Sequence, residues 1–344
     1  MTDRRPKATF RPDPIGRSAA TRKSHWFADL KLTRTGLYVR QTGRRIGLNE
    51  IAPAEFAKFC SYLAIVLVRS SWIRLTKPHA GCVHFTPDRP RPWYIIWSAM
   101  ALSGMRFESD AEKADAVFYF EDATFGTLPE GTSKILLNSG CLDISKSNVA
   151  GVFEEVFGYP LALDPMCFKG QAVMKSETNG VHDGQIIDCP VSAKIGMSYQ
   201  RFIDSSKDGV ALDYRTTIVG RIPQFVLVKT KPVDDRFSMH NHTVVFSELA
   251  DVFSTDEISS IERFATLMQL DWAALDVLRD AESGKIYIVD VNKTDTGPAV
   301  DLSWKDRFRV MRILSSAFAN LIETAGSSVA LPVPAQIMST KTTS

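Results

Sequence analysis

The sequence has few cysteines and no arrangement of them that points to a disulfide framework or a zinc site. The five cysteines are odd in number and widely scattered along the chain: Cys60, Cys82, Cys141, Cys167 and Cys189. No pair has the close spacing of a zinc clip, and a small secreted domain would need an ordered set of paired cysteines. The composition therefore favours a protein of a reducing compartment.

Long hydrophobic runs are also missing. The longest, YLAIVLV at 62–68, is far shorter than the roughly 20 residues that a membrane span needs. The opening residues, MTDRRPKATFRPDPIG, include basic side chains but no apolar run behind them, whereas a secretory signal requires one. We therefore predict a cytoplasmic protein without a transmembrane segment.

What the sequence does contain is enough apolar material for folded domains and an uneven distribution of charge. Of its 344 residues 44% are hydrophobic, which excludes global disorder. The net charge is only +2, yet residues 1–50 hold 12 Lys and Arg against 4 Asp and Glu. The first 25 residues are predicted to be a flexible basic arm, which either attracts an acidic partner or is a solvated tail. No motif indicates specific nucleic-acid binding.

The first third of the chain predicts a helix followed by a small parallel α/β domain. Residues 50–75 have a broad apolar face that either packs against the next domain or lies on a membrane surface. Strand-like and helix-like segments then alternate, at 83–87, 91–105, 114–122 and 134–140. This alternation is typical of parallel strands joined by helices.

The remainder predicts mixed helices and antiparallel strands. Helical patterns occupy 145–158, 254–270 and 304–323, and Ser254 with Glu257 has the spacing of a capping box. Strand patterns occupy 171–177, 184–191, 198–204, 212–231 and 275–292.

An acidic hairpin carries the clearest chemistry. Asp290 and Asn292 are two apart on a strand, so their side chains leave the same face. If 282–284 form a three-residue loop with Gly284 left-handed, Ala281 pairs with Lys285 and Asp276 lies opposite Asp290. Three oxygen-bearing side chains without Cys or His favour Mg²⁺. The alternative is a solvated polar strand face.

Basic residues occur on other strands. Lys175 ends an apolar strand before SETNGVHDG, where an ammonium group and backbone N–H groups are suited to phosphate. Asp213 and Arg215, together with Lys229 and Lys231, alternate along strands and are suited to a shared cleft. Each feature alone is equally typical of a surface turn or a solvated strand face.

The order of these features over residues 80–325 resembles the ATP-grasp superfamily, whose members include D-alanine–D-alanine ligase and glutathione synthetase. The hairpin motif LDVLRDAESGKIYIVDVNKT is the most specific part of the resemblance. It implies two α+β subdomains that clamp ATP, at 141–203 and 204–325, preceded by the α/β domain at 50–140. Residues 1–49 are then a basic, partly flexible extension, and residues 326–344 a flexible tail.

The resemblance also implies roles for individual residues. Lys175, with Lys146 from the preceding helix, would contact the ATP phosphates, and Arg215 the transferring phosphoryl group. Asp213 would approach the ribose. The adenine hinge would be Gln200, Arg201, Phe202 and Ile203. The Mg²⁺ ligands would be Asp276, Asp290 and Asn292. Asp290 and Gln200 stand where the family usually has glutamate. His182, His240 and His242 either face substrate or are surface residues.

The function implied is that of an ATP- and Mg²⁺-dependent ligase. It would join a small-molecule or peptide carboxylate to an amine through an acyl phosphate, with release of ADP and phosphate. Two other functions remain open on the sequence. One is a phosphotransferase with a hydroxyl acceptor, and the other is a non-catalytic nucleotide-binding module that recruits partners through its basic arm.

Overall fold

The N-terminal part of the chain contains a small sheet that the sequence analysis did not predict. The structure, a computed structural model, describes residues 30–33, 36–39, 44–47, 53–76, 81–128, 136–181, 183–237, 243–298 and 301–327. Strands β1 (Leu30–Thr33), β2 (Gly36–Val39) and β3 (Arg44–Gly47) form an antiparallel sheet in that order. They belong to one compact unit, Met1–Leu48, and the rest of the chain forms a second. The predicted flexible arm, residues 1–25, lies outside the described residues.

The second unit begins with the predicted helix, α1 (Pro53–Thr76). Tyr62, Val66 and Ser70 on one side of α1 are buried, the first two within the hydrophobic core. The prediction that this helix packs against the following domain is therefore confirmed for one of its faces. In the part of the chain that the structure describes, Phe56–Thr76 is the one helical segment long and apolar enough to cross a membrane.

The parallel α/β domain has the predicted order of elements, with one additional short strand, β5, that was not predicted. Its elements are β4 (Cys82–Pro87), α2 (Ile95–Ser103), β5 (Arg106–Phe107), β6 (Ala116–Phe120) and β7 (Leu136–Leu137). The four strands are parallel and lie in the order β5-β4-β6-β7. Gly104 ends α2 in the left-handed conformation, with φ 89°, which glycine adopts without steric cost.

Next comes an antiparallel three-stranded sheet with one helix. Its elements are α3 (Lys146–Phe157), β8 (Gly170–Ser176), β9 (Gln185–Cys189) and β10 (Met197–Arg201). The strands lie in the order β10-β8-β9. As the sequence predicts, Ser145 caps α3 by accepting a hydrogen bond from the backbone N–H of Asn148, and Gly158 ends the helix with φ 75°.

A six-stranded antiparallel sheet forms the largest part. The elements are β11 (Ser206–Lys207), β12 (Val210–Val219), β13 (Ile222–Pro232), a 3₁₀ turn (Val233–Asp235), β14 (Thr243–Ser247), α4 (Leu249–Val252), α5 (Thr255–Leu267), β15 (Trp272–Arg279), β16 (Ile286–Asn292) and α6 (Trp304–Ser327). The order is β14-β13-β12-β15-β16, and β11 pairs with β12. Edge strand β14 was not predicted.

The two faces of this sheet have different environments. One face packs Val226, Leu275 and Val277 into a core shared with α3 and α5. The other face packs Leu227 and Trp272 into the core that contains α1, α2 and α6. Further along the same strands this second face becomes charged, because residues at intervals of two leave the same side of a strand. The candidate site lies on this charged part.

Candidate functional site

Two aspartates oppose each other on neighbouring strands, as predicted, but the turn that joins the strands differs. Asp276 pairs with Asp290. The backbone N–H of Asp280 donates to the carbonyl of Lys285, so the predicted Ala281–Lys285 pair is wrong and the loop is one residue longer. A bulge between Asp276 and Val277 restores the register, since it places one extra residue, Val289, on β16. Gly284 is left-handed, with φ 70°, as predicted.

Each carboxylate of the aspartate pair is held by a cation. The Nζ of Lys146, the first residue of α3, lies 2.5 Å from Oδ1 of Asp290. The Nη1 of Arg215 on β12 lies 2.7 Å from Oδ1 of Asp276. The Oδ1 of Asn292 accepts a hydrogen bond from the backbone N–H of Thr294 at 2.9 Å. Opposed carboxylates repel each other, and these two cations offset that repulsion.

Arg215 is fixed by a second acid that the sequence analysis missed. Its Nη2 lies 2.5 Å from Oδ1 of Asp295, and its Nε donates to Oδ2 of the same carboxylate at 3.4 Å. Burial alone would raise the pKa of Asp276, but Arg215 and two neighbouring lysines lower it to about 2. The only sequence signal for Asp295 was its place three residues after Asn292.

Lys175 lies beside the same bulge. Its Nζ donates to the backbone carbonyl of Val289 at 2.9 Å. Burial lowers the pKa of Lys175 to about 8, although the nearby Asp290 carboxylate acts in the opposite direction. Lys146 and Lys175 thus present two ammonium groups next to the aspartate pair, an arrangement suited to phosphate.

The glycine-containing loop after Lys175 covers this end of the site and is tied to two other elements. The backbone N–H of Asn179 donates to Oγ1 of Thr124 at 2.7 Å, and its Oδ1 accepts from Lys146 at 3.0 Å. The carboxylate of Glu177 accepts a hydrogen bond from the backbone N–H of Ser147 at 3.0 Å. The loop therefore joins the α/β domain to the N-terminus of α3. His182 within it, and His240 and His242, lie outside the described residues.

Besides these charged groups, the site includes apolar side chains and two polar atoms without hydrogen-bond partners among the described residues. These buried atoms are Nε2 of Gln200 and Oδ1 of Asp213. Burial and the charge of Asp276 raise the pKa of Asp213 to about 6. The guanidinium of Arg236 lies 4.8 Å from the ring centroid of Phe202. Buried polar groups are nearly always hydrogen-bonded, so these two atoms are suited to a bound ligand that carries polar groups.

All the residues with predicted roles line one cavity of about 270 Å³. They are Lys146, Lys175, Gln200, Arg201, Phe202, Ile203, Asp213, Arg215, Asp276, Asp290 and Asn292. The sequence analysis did not predict the lining residues Arg236 and Phe237, whereas Asn179 belongs to the loop that it had placed beside the phosphates. Among the described residues no group of three or more His, Cys, Asp or Glu has a metal-holding arrangement, so the metal-ligand candidates remain two carboxylates and one amide.

Comparisons with known proteins returned matches only among solved structures. No family model matches the chain, and no curated protein matches it. It is similar to the ATP-grasp ligase PsnB complexed with minimal precursor, with 12% identity over 69% of this chain and 99% of that one, and a TM-score of 0.46. It is also similar to an L-amino acid ligase from Bacillus licheniformis, with 11% identity over 70% of this chain and 74% of that one, and a TM-score of 0.41.

The D-alanine–D-alanine ligase from Bacillus anthracis is a further match, with 11% identity over 72% of this chain and 96% of that one, and a TM-score of 0.44. The fold itself follows from the order of the elements in this chain. A parallel α/β domain precedes a three-stranded sheet with a helix and a larger antiparallel sheet with helices, and the cavity is lined by strands of both sheets. The chain therefore has the order of domains that the resemblance to the ATP-grasp superfamily implies.

Proposed function

We propose that this protein is an ATP- and Mg²⁺-dependent ligase that joins a carboxylate to an amine and releases ADP and phosphate. The observation that carries the proposal is that one cavity combines two chemically different sets of side chains. One set, which we call the nucleoside end, joins the apolar side chains of Phe202 and Ile203 to the unpartnered polar atoms of Gln200 and Asp213. The other set brings Lys146, Lys175 and Arg215 together with the opposed aspartates. A nucleoside fits the first set, and a polyphosphate fits the second.

The nucleoside end has groups for both the base and the sugar. Gln200 offers an amide donor, and Phe202 and Ile203 offer apolar surface for a planar base. Asp213 offers a carboxylate oxygen for a ribose hydroxyl. Since both orphaned atoms are buried in the same cavity, one ligand of nucleoside size would satisfy both of them.

The donor set at the other end fits Mg²⁺. Carboxylate and amide oxygens are the ligands that this ion prefers, and Asp276, Asp290 and Asn292 supply them in the proposal. The low pKa of Asp276, about 2, keeps that carboxylate ionised at neutral pH. When bound, Mg²⁺ would neutralise negative charge on the outer phosphates.

The side chains of the chain itself position the reacting groups. Lys146 and Lys175 bind the phosphates, and Arg215, oriented by Asp295, stabilises the charge of the transferring phosphoryl group. In the proposed reaction a substrate carboxylate oxygen attacks the γ-phosphorus, ADP leaves, and the amine then displaces phosphate from the acyl phosphate. The loop with Gly180 and Gly184 excludes water from this reactive intermediate.

The proposal is tested with hydroxylamine as a general amine. The purified chain is incubated with Mg²⁺, ATP, hydroxylamine and pools of amino acids or short peptides, and hydroxamate, ADP and phosphate are measured. We expect ADP and phosphate in equal amounts, with hydroxamate formed only with the correct carboxylate. Lys175→Met is the matched inactive variant, because it removes the ammonium group and keeps most of the volume.

Other products would identify the alternatives. A stable phosphorylated product without free phosphate identifies a phosphotransferase. AMP and pyrophosphate overturn the γ-phosphoryl mechanism. ATP binding without any ADP release across the pools favours a nucleotide-binding module.

A further inference from the structure

Helix α1 has an exposed face that is free of charged residues. The face spans Ala57, Cys60, Ser61, Ala64, Ile65, Leu67, Val68, Ser71, Trp72 and Leu75, which share one side of the helix at 3.6 residues per turn and are all exposed. Val68 is 73%, Trp72 68% and Leu75 79% exposed. Nothing in the described part of the chain covers them. We call these ten residues the exposed α1 face.

The polar atoms on the exposed α1 face are already satisfied. The hydroxyl of Ser61 donates to the carbonyl of Ala57 at 2.8 Å, and the hydroxyl of Ser71 donates to the carbonyl of Leu67 at 2.8 Å. Removing this face from water therefore leaves no hydroxyl without a partner, and the apolar side chains gain from burial.

Although the length and composition of α1 fit a membrane span, its packing does not. Tyr62, Val66 and Ser70 on the opposite side are buried, and the guanidinium of Arg307 on α6 lies 5.7 Å from the ring centroid of Tyr62. If α1 crossed a membrane, it would have to separate from this core. The helix is thus held on the domain and presents only one side outward, the orientation of a helix that lies in the plane of an interface.

The size and the rim of this face favour a lipid surface over a second copy of the chain. The ten residues span ~19 positions of helix and give a strip of roughly 30 Å by 10 Å, an area well below the ~800 Å² per partner of a standard protein interface. The rim carries the exposed residues Lys58 and Arg69 along one edge, and the helix contains one acidic residue, Glu55. Two copies joined by this face would bring basic rims together.

The segment that precedes α1 in the sequence is also positively charged, like the rim of the exposed α1 face. Residues 1–50 contain 12 Lys and Arg against 4 Asp and Glu, and they directly precede α1. Basic residues beside an apolar interfacial helix are the pattern that binds anionic lipid, because acyl chains accommodate the apolar face while headgroups pair with the cations.

We propose that the exposed α1 face, with its basic rim, docks this protein on the surface of an anionic lipid bilayer. This proposal is independent of the proposed ligase activity. It assigns the apolar side chains to the headgroup–acyl boundary and Lys58 and Arg69 to the headgroups. Binding is therefore expected to need both the apolar face and anionic lipid.

The test uses the full chain and sucrose-loaded vesicles. One set is phosphatidylcholine alone, and the other contains about a third phosphatidylglycerol. We expect the chain to sediment with the anionic vesicles and to stay in solution with the neutral ones. The double variant Trp72→Gln/Leu75→Gln is expected to lower the partition coefficient about tenfold. Ile195→Gln is the matched control, because Ile195 is a fully exposed apolar residue elsewhere, and it is expected to bind as wild type.

Folding of the double variant is checked by its thermal unfolding midpoint, which should stay close to that of the wild type because both side chains are exposed. The proposal is overturned if the wild-type chain ignores anionic vesicles. It is also overturned if a folded double variant binds them as well as the wild type does, since the basic segment alone then suffices. A wild-type dimer that the double variant converts to a monomer, without vesicle binding, assigns the face to a second copy.

Discussion

At the residue scale, Asp290 is the acid whose removal tests the metal assignment most directly. Asp290→Asn keeps the volume of the side chain and removes its charge, and it leaves Lys146 without its carboxylate partner at 2.5 Å. We expect Mg²⁺-dependent ATP turnover to fall about 100-fold while the fold stays intact. The measurement is turnover as a function of Mg²⁺ concentration, together with circular dichroism.

The matched control is Asp188→Asn, which removes the same charge from an exposed position on β9. It should leave turnover unchanged. Wild-type turnover in the Asp290→Asn variant would show that the metal, if required, is held elsewhere.

Lys175 gives the site a pH dependence of definite sign. Burial lowers its pKa from the ordinary value of 10.5 to about 8, so in the free protein the ammonium form predominates below pH 8 and the neutral amine above it. Bound phosphates stabilise the ammonium form and raise this pKa. ATP binding above pH 8 should therefore take up a proton, and binding well below pH 8 should not.

Proton uptake is measured by calorimetric titration with ATP in two buffers of different ionisation enthalpy. Lys175→Met should abolish the difference between buffers above pH 8. An equal difference in the variant would assign the proton to another group.

At the element scale, the N-terminus of α5 ties that helix to the acidic hairpin. The hydroxyl of Ser254 accepts a hydrogen bond from the backbone N–H of Glu257 at 3.3 Å, and the Glu257 carboxylate accepts one from the backbone N–H of Ser254 at 2.9 Å. The same carboxylate lies 2.7 Å from Nη1 of Arg279 on β15. The predicted capping box therefore also positions the Glu257 carboxylate that pairs with Arg279 of the hairpin.

Ser254→Ala is expected to lower the free energy of unfolding by about 1 kcal/mol, because it leaves a helix N–H without its acceptor. The measurement is urea unfolding followed by circular dichroism. Ser259→Ala, at an exposed position within α5, is the control and should be neutral or slightly stabilising, since alanine favours helix. Equal losses in the two variants would argue against the cap.

At the scale of the whole molecule, the basic segment and the candidate cavity are separate along the chain. The cavity is lined by residues between Lys146 and Asn292. Deletion of residues 1–25 should therefore leave ATP affinity within about twofold, while it weakens binding to anionic vesicles because several cations are lost. ATP titration and vesicle sedimentation measure the two effects. A tenfold loss of ATP affinity would place the arm at the active site.

Much of the local structure followed from the sequence. Ser145 with Gly158, and Ser254 with Glu257, bound their helices as predicted, because helix caps depend on residues within three or four positions. The strand pairs, and the face shared by Asp290 and Asn292, were predicted because side chains two residues apart leave the same side of a strand. The sheet β1–β3, the edge strand β14 and the two-residue strands β5 and β11 were missed, since strands of two to five residues are too short to establish a periodic pattern.

The candidate site was predictable as a set of residues and not as an arrangement. The resemblance to ATP-grasp proteins selected the residues, and the structure brings them to one cavity. The sequence did not predict which cation pairs with which acid, because the two partners of each ion pair are far apart in the chain. Lys146 and Asp290 are separated by 144 residues, and Asp295 meets Arg215 across 80. Such pairs depend on how the elements pack together.

By itself, the sequence determined the order and type of the main elements and the acids that can share a strand face, because hydrogen bonds and side-chain direction within an element depend on near neighbours. Tertiary structure alone decided the bulge at Val289, which keeps Asp276 opposite Asp290 despite a longer turn. It also decided which side of α1 is buried. Both outcomes depend on contacts between segments that are far apart in the sequence, so no local sequence pattern predicts them.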